Sequence, residues 1–248
     1  MPLFAKVSDR FFLCESRRVP TFTNFYDPAK WTAFRDILKR EGQDIQVCVF
    51  GGAEDCERRM FGFFPIEKEK IDFPIVRLRI SHNCKFNKMP RHQDYLGSIL
   101  GLGFDRGRIG DIIIALDMGY SEVFVYDDIA DYICSQLVKI GRAPVKIQTI
   151  SVEEEGLIKP QEIELQINVA SLRLDVVIAA LFHLSRGKAA VLIGAEKVFL
   201  NWSPCADGGR QVKPGDMVTL RGYGRARVGD IRGTTKKDRL RLTVFRAN

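Results

Sequence analysis

Arg186 and Lys188 follow directly on Ser185 in the stretch Arg173–Asn201, RLDVVIAALFHLSRGKAAVLIGAEKVFLN. Ser185 is a good helix N-cap, so both cations fall in a first helical turn, where the macrodipole disfavours positive charge. Gly187 between them is a poor helix former. A helix chosen for stability alone would carry Asp or Glu there. A helix start that gathers Arg, Lys and backbone N–H groups is suited instead to holding a phosphate. A plain solvated helix end is the other reading of the same residues.

The elements that would position these cations are legible around them. Leu174, Val177, Ile178 and Leu181 fall at i, i+3, i+4 and i+7, which predicts a helix headed by Arg173. The second helix, capped by Ser185, would bury Ala189, Leu192 and Ile193, and Val198–Leu200 would follow as a short strand. Two short helices at a turn and then a strand make a compact unit.

Charge is divided unevenly along the 248 residues. From Ser171 onward 15 Lys and Arg stand against 6 Asp and Glu, whereas residues 1–170 hold 23 against 25. The whole excess of positive charge lies in the C-terminal third, which points to a polyanionic partner for that part. No basic amphipathic helix of membrane type accompanies it, so nucleic acid is favoured over a lipid surface.

Other classes are disfavoured. No apolar run approaches the roughly 18–20 residues of a membrane span. The N-terminus lacks a basic-then-apolar export pattern. The six cysteines form no C-x-x-C pair and do not cluster with the three histidines, so neither a metal nor a cofactor is expected. The segment Gly101–Asp111, GLGFDRGRIGD, has its third glycine one residue too late for a dinucleotide fingerprint and follows a helix.

Taken in order, the chain reads as an α+β protein of three domains, at 1–72, 73–160 and 161–248. The first is a small mixed α/β domain, with a helix from Asp27-Pro28 to Gly42, a strand Ile45–Phe50, a short charged helix over Glu54–Arg59 and a packed cluster Phe61, Phe63 and Phe64. The second follows β-α-β-β-α-β order: Ile75–Ile80, a helix after Pro90, Asp111–Leu116, Glu122–Tyr126, a helix from Ile129 to Ile140, and Val145–Ile150. That is the ferredoxin-like plan of RNA-recognition-motif domains. A basic and aromatic sheet face of Arg77, Arg79, Phe124 and Tyr126 would offer a second RNA surface, with Arg106 and Arg108 contacting phosphate from a loop. Residues 152–170 read as an acidic connector running into a strand through Ile163, Leu165 and Ile167. Beyond Pro214-Gly215-Asp216, the stretch Arg221–Arg227, RGYGRAR, combines glycine, an aromatic and three arginines, a composition suited to phosphate contact and stacking.

Two resemblances rest on these residues. Arg173-Leu174-Asp175, Ser185-Arg186, Ala189, Leu192-Ile193, Val198, Asn201 and Gly215-Asp216 resemble the RNA-binding domain of ribosomal small-subunit protein four, the S-four domain. The departure is Gly194–Lys197, where many members keep a glycine just before the strand. Residues 91–103, RHQDYLGSILGLG, continuing through Arg106 to Gly110-Asp111-Ile112, are similar to the YlmH family. So are Arg221–Arg225 and the Gly51-Gly52 turn with Glu57-Arg58. The S-four resemblance implies that Arg173, Arg186 and Lys188 face RNA. Docking is expected through these three and Lys197, with Arg221, Arg225 and Arg227 in support, and Arg91 joins Arg77, Arg79, Arg106 and Arg108 on the second surface.

The YlmH resemblance implies a non-enzymatic, RNA-binding protein associated with the large ribosomal subunit through rRNA and tRNA, including subunits stalled with peptidyl-tRNA. A cytoplasmic protein, monomeric when free, is expected, or a plastid stromal one where a transit peptide has been removed. No catalytic residue is expected. An RNA-modifying enzyme targeted by its S-four domain is the alternative, but GFDRGRIGD does not match the catalytic loop of pseudouridine synthases, because Asp105 precedes its arginine. A cell-division interaction protein is the third reading, and it leaves the basic C-terminus unexplained.

Overall fold

The computed structural model describes residues 2–38, 44–54, 56–68, 70–82, 90–115, 119–152 and 162–247. The expected helix end at Gly42 and most of the acidic connector lie outside the described residues. The chain divides into two compact units, Met1–Lys159 and Pro160–Asn248.

The first unit begins with a helix that the sequence reading does not anticipate, α1 (Pro2–Arg17), followed by β1 (Thr21–Phe22), α2 (Pro28–Leu38), β2 (Ile45–Phe50) and β3 (Met60–Pro65). These strands form an antiparallel sheet in the order β1-β3-β2. α1 covers it by burying Val7, Phe11 and Cys14 against Phe61, Phe63 and Ile45. Of the stretch expected as a charged helix, the described residues Glu54 and Cys56–Arg59 are not helical. The Asp111 carboxylate accepts the backbone amides of Glu57 at 2.5 Å and Arg58 at 3.1 Å, and these tertiary bonds outweigh local helix propensity.

The rest of this unit runs β4 (Ile75–His82), α3 (His92–Leu100), a short 3-10 turn at Arg106–Arg108, β5 (Ile109–Ala115), β6 (Tyr120–Tyr126), α4 (Asp127–Gln136), β7 (Lys139–Ile140) and β8 (Ala143–Ile150). The five strands are antiparallel in the order β5-β6-β4-β8-β7. The helix expected to reach Ile140 stops at Gln136, because Lys139 and Ile140 pair with Pro144 and Ala143 instead. One sheet face, with Leu78, Ile80, Val123 and Val125, buries Tyr95 and Ile99 of α3 and Ile129 and Ile133 of α4. The opposite face, with Ile75, Ile113 and Phe124, packs on Phe25, Cys56 and Met60 from the N-terminal part. Residues 1–72 and 73–152 therefore meet in one apolar layer. The approach is close: a Cβ on Gly52, whose φ is +102°, would lie 2.2 Å from the Phe124 ring.

The second unit comprises β9 (Glu162–Val169), α5 (Leu174–Leu181), α6 (Arg186–Gly194), β10 (Val198–Leu200), β11 (Ser203–Pro204), β12 (Met217–Leu220), β13 (Gly224–Thr234) and β14 (Leu240–Ala247). Its antiparallel sheet runs β11-β10-β12-β13-β14-β9. The helices bend 115° between them and bury Leu174, Val177, Ile178, Ala189 and Ile193 on Val198, Val218, Leu242 and Val244. No single described helix is long and apolar enough to cross a membrane.

Candidate nucleic-acid interface

Arg173 caps the head of α5 and Arg186 opens α6, and the bend between the helices brings both to Asp175. Arg173 donates to the two Asp175 oxygens at 3.0 and 3.1 Å, and Arg186 donates at 3.5 Å. The Arg173 guanidinium, more than any other group, holds the Asp175 carboxyl below its ordinary range, against the opposing pull of its own burial. Asp175 thus fixes two forked cations side by side while both stay open to solvent, with side-chain exposures of 45% and 71%. Ser185 accepts the Lys188 amide at 3.2 Å, satisfying one of the N–H groups that a helix start leaves without intrahelical partners. The Lys188 side chain is exposed beside them.

A loop closes the head of α5. Leu174 donates to the Arg210 carbonyl at 2.8 Å and Asp175 to that of Gly208 at 3.0 Å, so phosphate cannot use those two amides. The loop brings in an exposed cation, Arg210, that the sequence reading does not single out. Its only linear signal is Gly208-Gly209 before it.

The other four expected residues form a second group. α6 is nine residues long, which separates Lys197 from Arg186 by roughly 13 Å of helix. The Lys197 carbonyl accepts the Arg221 amide at 2.9 Å, and the Arg221 guanidinium lies 5.3 Å from the Phe199 ring centroid. Arg225 is exposed opposite Thr219. Arg227 is already engaged, bonded to Glu162 at 2.5 Å and stacked 4.3 Å from Phe245. Glu196, two residues before the strand, adopts φ +54°, a left-handed conformation that glycine takes up without strain.

The expected second surface is corrected. Arg77 and Arg79 do point to the same side as Phe124, but that side is the covered one. Arg77 and Phe124 are fully buried. The Glu122 carboxylate, equally buried, accepts from Arg77 at 2.7 Å and Arg79 at 2.8 Å, while Arg79 also lies over Tyr120. Arg106 turns inward too, donating to the carbonyls of Ile109 and Gly110. Burial, with the charge of Arg58 nearby, lowers its pKa to about 10. Arg58 donates to the carbonyls of Ile109 and Phe25, so these two arginines clamp the loop into place. Arg108 bonds Asp128 and stacks on Tyr126 at 4.0 Å, with 31% of its side chain exposed. Arg91 is exposed at the head of α3 beside Asp94.

Paired helices that display forked cations at their heads, backed by a small antiparallel sheet, define an RNA-binding module of the S-four class. Residues 172–218 match the family model described as "S4 domain", and residues 68–154 match "Putative RNA-binding domain in YlmH". The chain is 31% identical over 227 residues to the "Ribosome-associated protein quality control protein P2" of Bacillus subtilis, covering 90% of this chain and 86% of that one. It belongs to the YlmH family. The "Cell division protein ylmH from Streptococcus pneumoniae" shares the fold over 62% of this chain and 92% of its own, at a TM-score of 0.52 and 22% identity.

Proposed function

We propose that this protein is a non-enzymatic factor that docks its S-four surface on structured RNA of the large ribosomal subunit and acts on subunits stalled with peptidyl-tRNA. The observation that carries the reading is the Arg173–Asp175–Arg186 arrangement, two planar guanidiniums held open by one carboxylate at the heads of two helices. A duplex phosphate backbone suits such a pair, because helical RNA is recognised through backbone and shape while its bases stay hidden in a narrow groove. The name of the Bacillus relative supports the ribosomal partner. The strand order of the central sheet supports a ferredoxin-like domain, whose role in this reading is to carry the N-terminal module on its covered face. The free protein is proposed to be a monomer in the cytoplasm.

Sucrose-gradient co-sedimentation tests this reading. Wild type should travel with the large subunit, and Arg173→Ala/Arg186→Ala, folded by circular dichroism, should remain at the top. Wild type that stays at the top at low salt would rule out the ribosomal partner.

A further inference from the structure

The matched stretch 68–154 leaves a question, since the sheet face through which RNA-recognition-motif domains stack bases is sealed by the N-terminal part. Base stacking on that sheet face is therefore closed to this unit. A cleft of about 570 Å³ opens elsewhere on it, within the size range of sites for small ligands. One wall is α1, through Lys6, Asp9 and Arg10; a second is the extended segment through Thr23 and Asn24; the third is Arg108 lying over Tyr126.

We propose that this cleft takes a single extruded nucleotide of a single-stranded RNA segment, its phosphate on Lys6 and Arg10 and its base against the outer plane of Arg108. The proposal rests on the reading of RNA as the partner. Three cations face one acid, in a unit that otherwise carries no excess positive charge. Lys6 and Arg10 are four residues apart on α1, so they share one side of the helix, and both are exposed. The Arg108 guanidinium already uses one face on Tyr126 and is steadied by Asp128, which leaves a flat cation lining the cleft for a base to stack on. Asp9, repelled by phosphate, would accept from a ribose 2′-hydroxyl or a base amino group. A cleft of this volume has room for one splayed nucleotide.

The test is fluorescence anisotropy of the full chain with two labelled probes, a single-stranded oligoadenylate RNA of about ten nucleotides and an RNA hairpin with a fully paired stem. Lys6→Gln/Arg10→Gln should weaken single-strand binding by about tenfold near 0.15 M salt and reduce the slope of log affinity against log salt by about 0.7, as expected for one phosphate neutralised on a single strand. Hairpin binding should not change. Arg186→Gln/Lys188→Gln should do the reverse. Both sites are exposed, so melting temperatures should stay within about 2 °C of wild type, and Arg108→Gln probes the stacking wall independently of α1. Unchanged single-strand affinity in a folded Lys6→Gln/Arg10→Gln variant, or equal loss on both probes, would overturn the cleft while leaving the S-four reading intact. Wild type that bound neither probe would remove both.

Discussion

Glu122 holds together a face of the central sheet that would otherwise trap two charges. Its Oε1 accepts from the buried Arg77 at 2.7 Å and from Arg79 at 2.8 Å. Burying such a group far from water is costly unless charge and hydrogen bonds compensate, and removing one partner leaves the others uncompensated. Glu122→Gln should therefore lose about 3–5 kcal/mol of stability in urea unfolding. Hairpin RNA affinity of the folded protein should stay the same, since these groups belong to the first compact unit and the S-four cations to the second. Asp175 has the opposite task. It also pairs two arginines, but at the surface, where an ion pair contributes little to stability and serves chiefly to aim the cations outward.

At the scale of elements, α6 sacrifices local stability. It carries Gly187 in its first turn and exposes Val191 at 70%, and a Cβ on Gly187 would meet no neighbour within 4 Å. Nothing in the protein's own packing demands glycine there, and glycine costs a helix roughly 0.5–1 kcal/mol relative to alanine. On the function proposed above, the RNA backbone approaches closely between Arg186 and Lys188, where a side chain at position 187 would stand in its way. Gly187→Ala should raise thermal stability by that amount and weaken hairpin RNA binding, measured by calorimetry and anisotropy on one preparation. Stronger or unchanged binding would mean that RNA does not approach this turn. α1 shows how an element can be missed: its buried side, Val7, Phe11 and Cys14, is short and interrupted by charge, and its partners, Ile45, Phe61 and Phe63, come from distant strands.

At the scale of the whole molecule, binding should be dominated by phosphate neutralisation from the C-terminal unit, which holds 15 basic and 6 acidic residues from Ser171 onward. Affinity for hairpin RNA should fall steeply with salt. Replacing Arg173, Arg186 and Lys188 together by Gln should flatten the plot of log affinity against log salt by roughly 2–2.7, at about 0.7–0.9 for each phosphate no longer neutralised. A slope that did not move would place the interface elsewhere on this unit, with Lys197, Arg221 and Arg225 the next group to replace.

The S-four helices, four of the five strands of the central sheet and the C-terminal concentration of cations were legible in the linear chain. Those signals are local: a 3.6-residue apolar period, a Ser cap, alternation along strands and a count of charges. Tertiary structure alone decided what each arginine does. Arg77, Arg79 and Arg106 read as available cations in a linear chain, yet packing of the N-terminal part across the sheet turned them into buried partners of Glu122 and of backbone carbonyls. The same packing set Lys6 and Arg10 opposite Arg108, about a hundred positions away in the chain. Periodicity identifies which face of an element is apolar, but not what covers the other face, and the solvation of a charge depends on that cover.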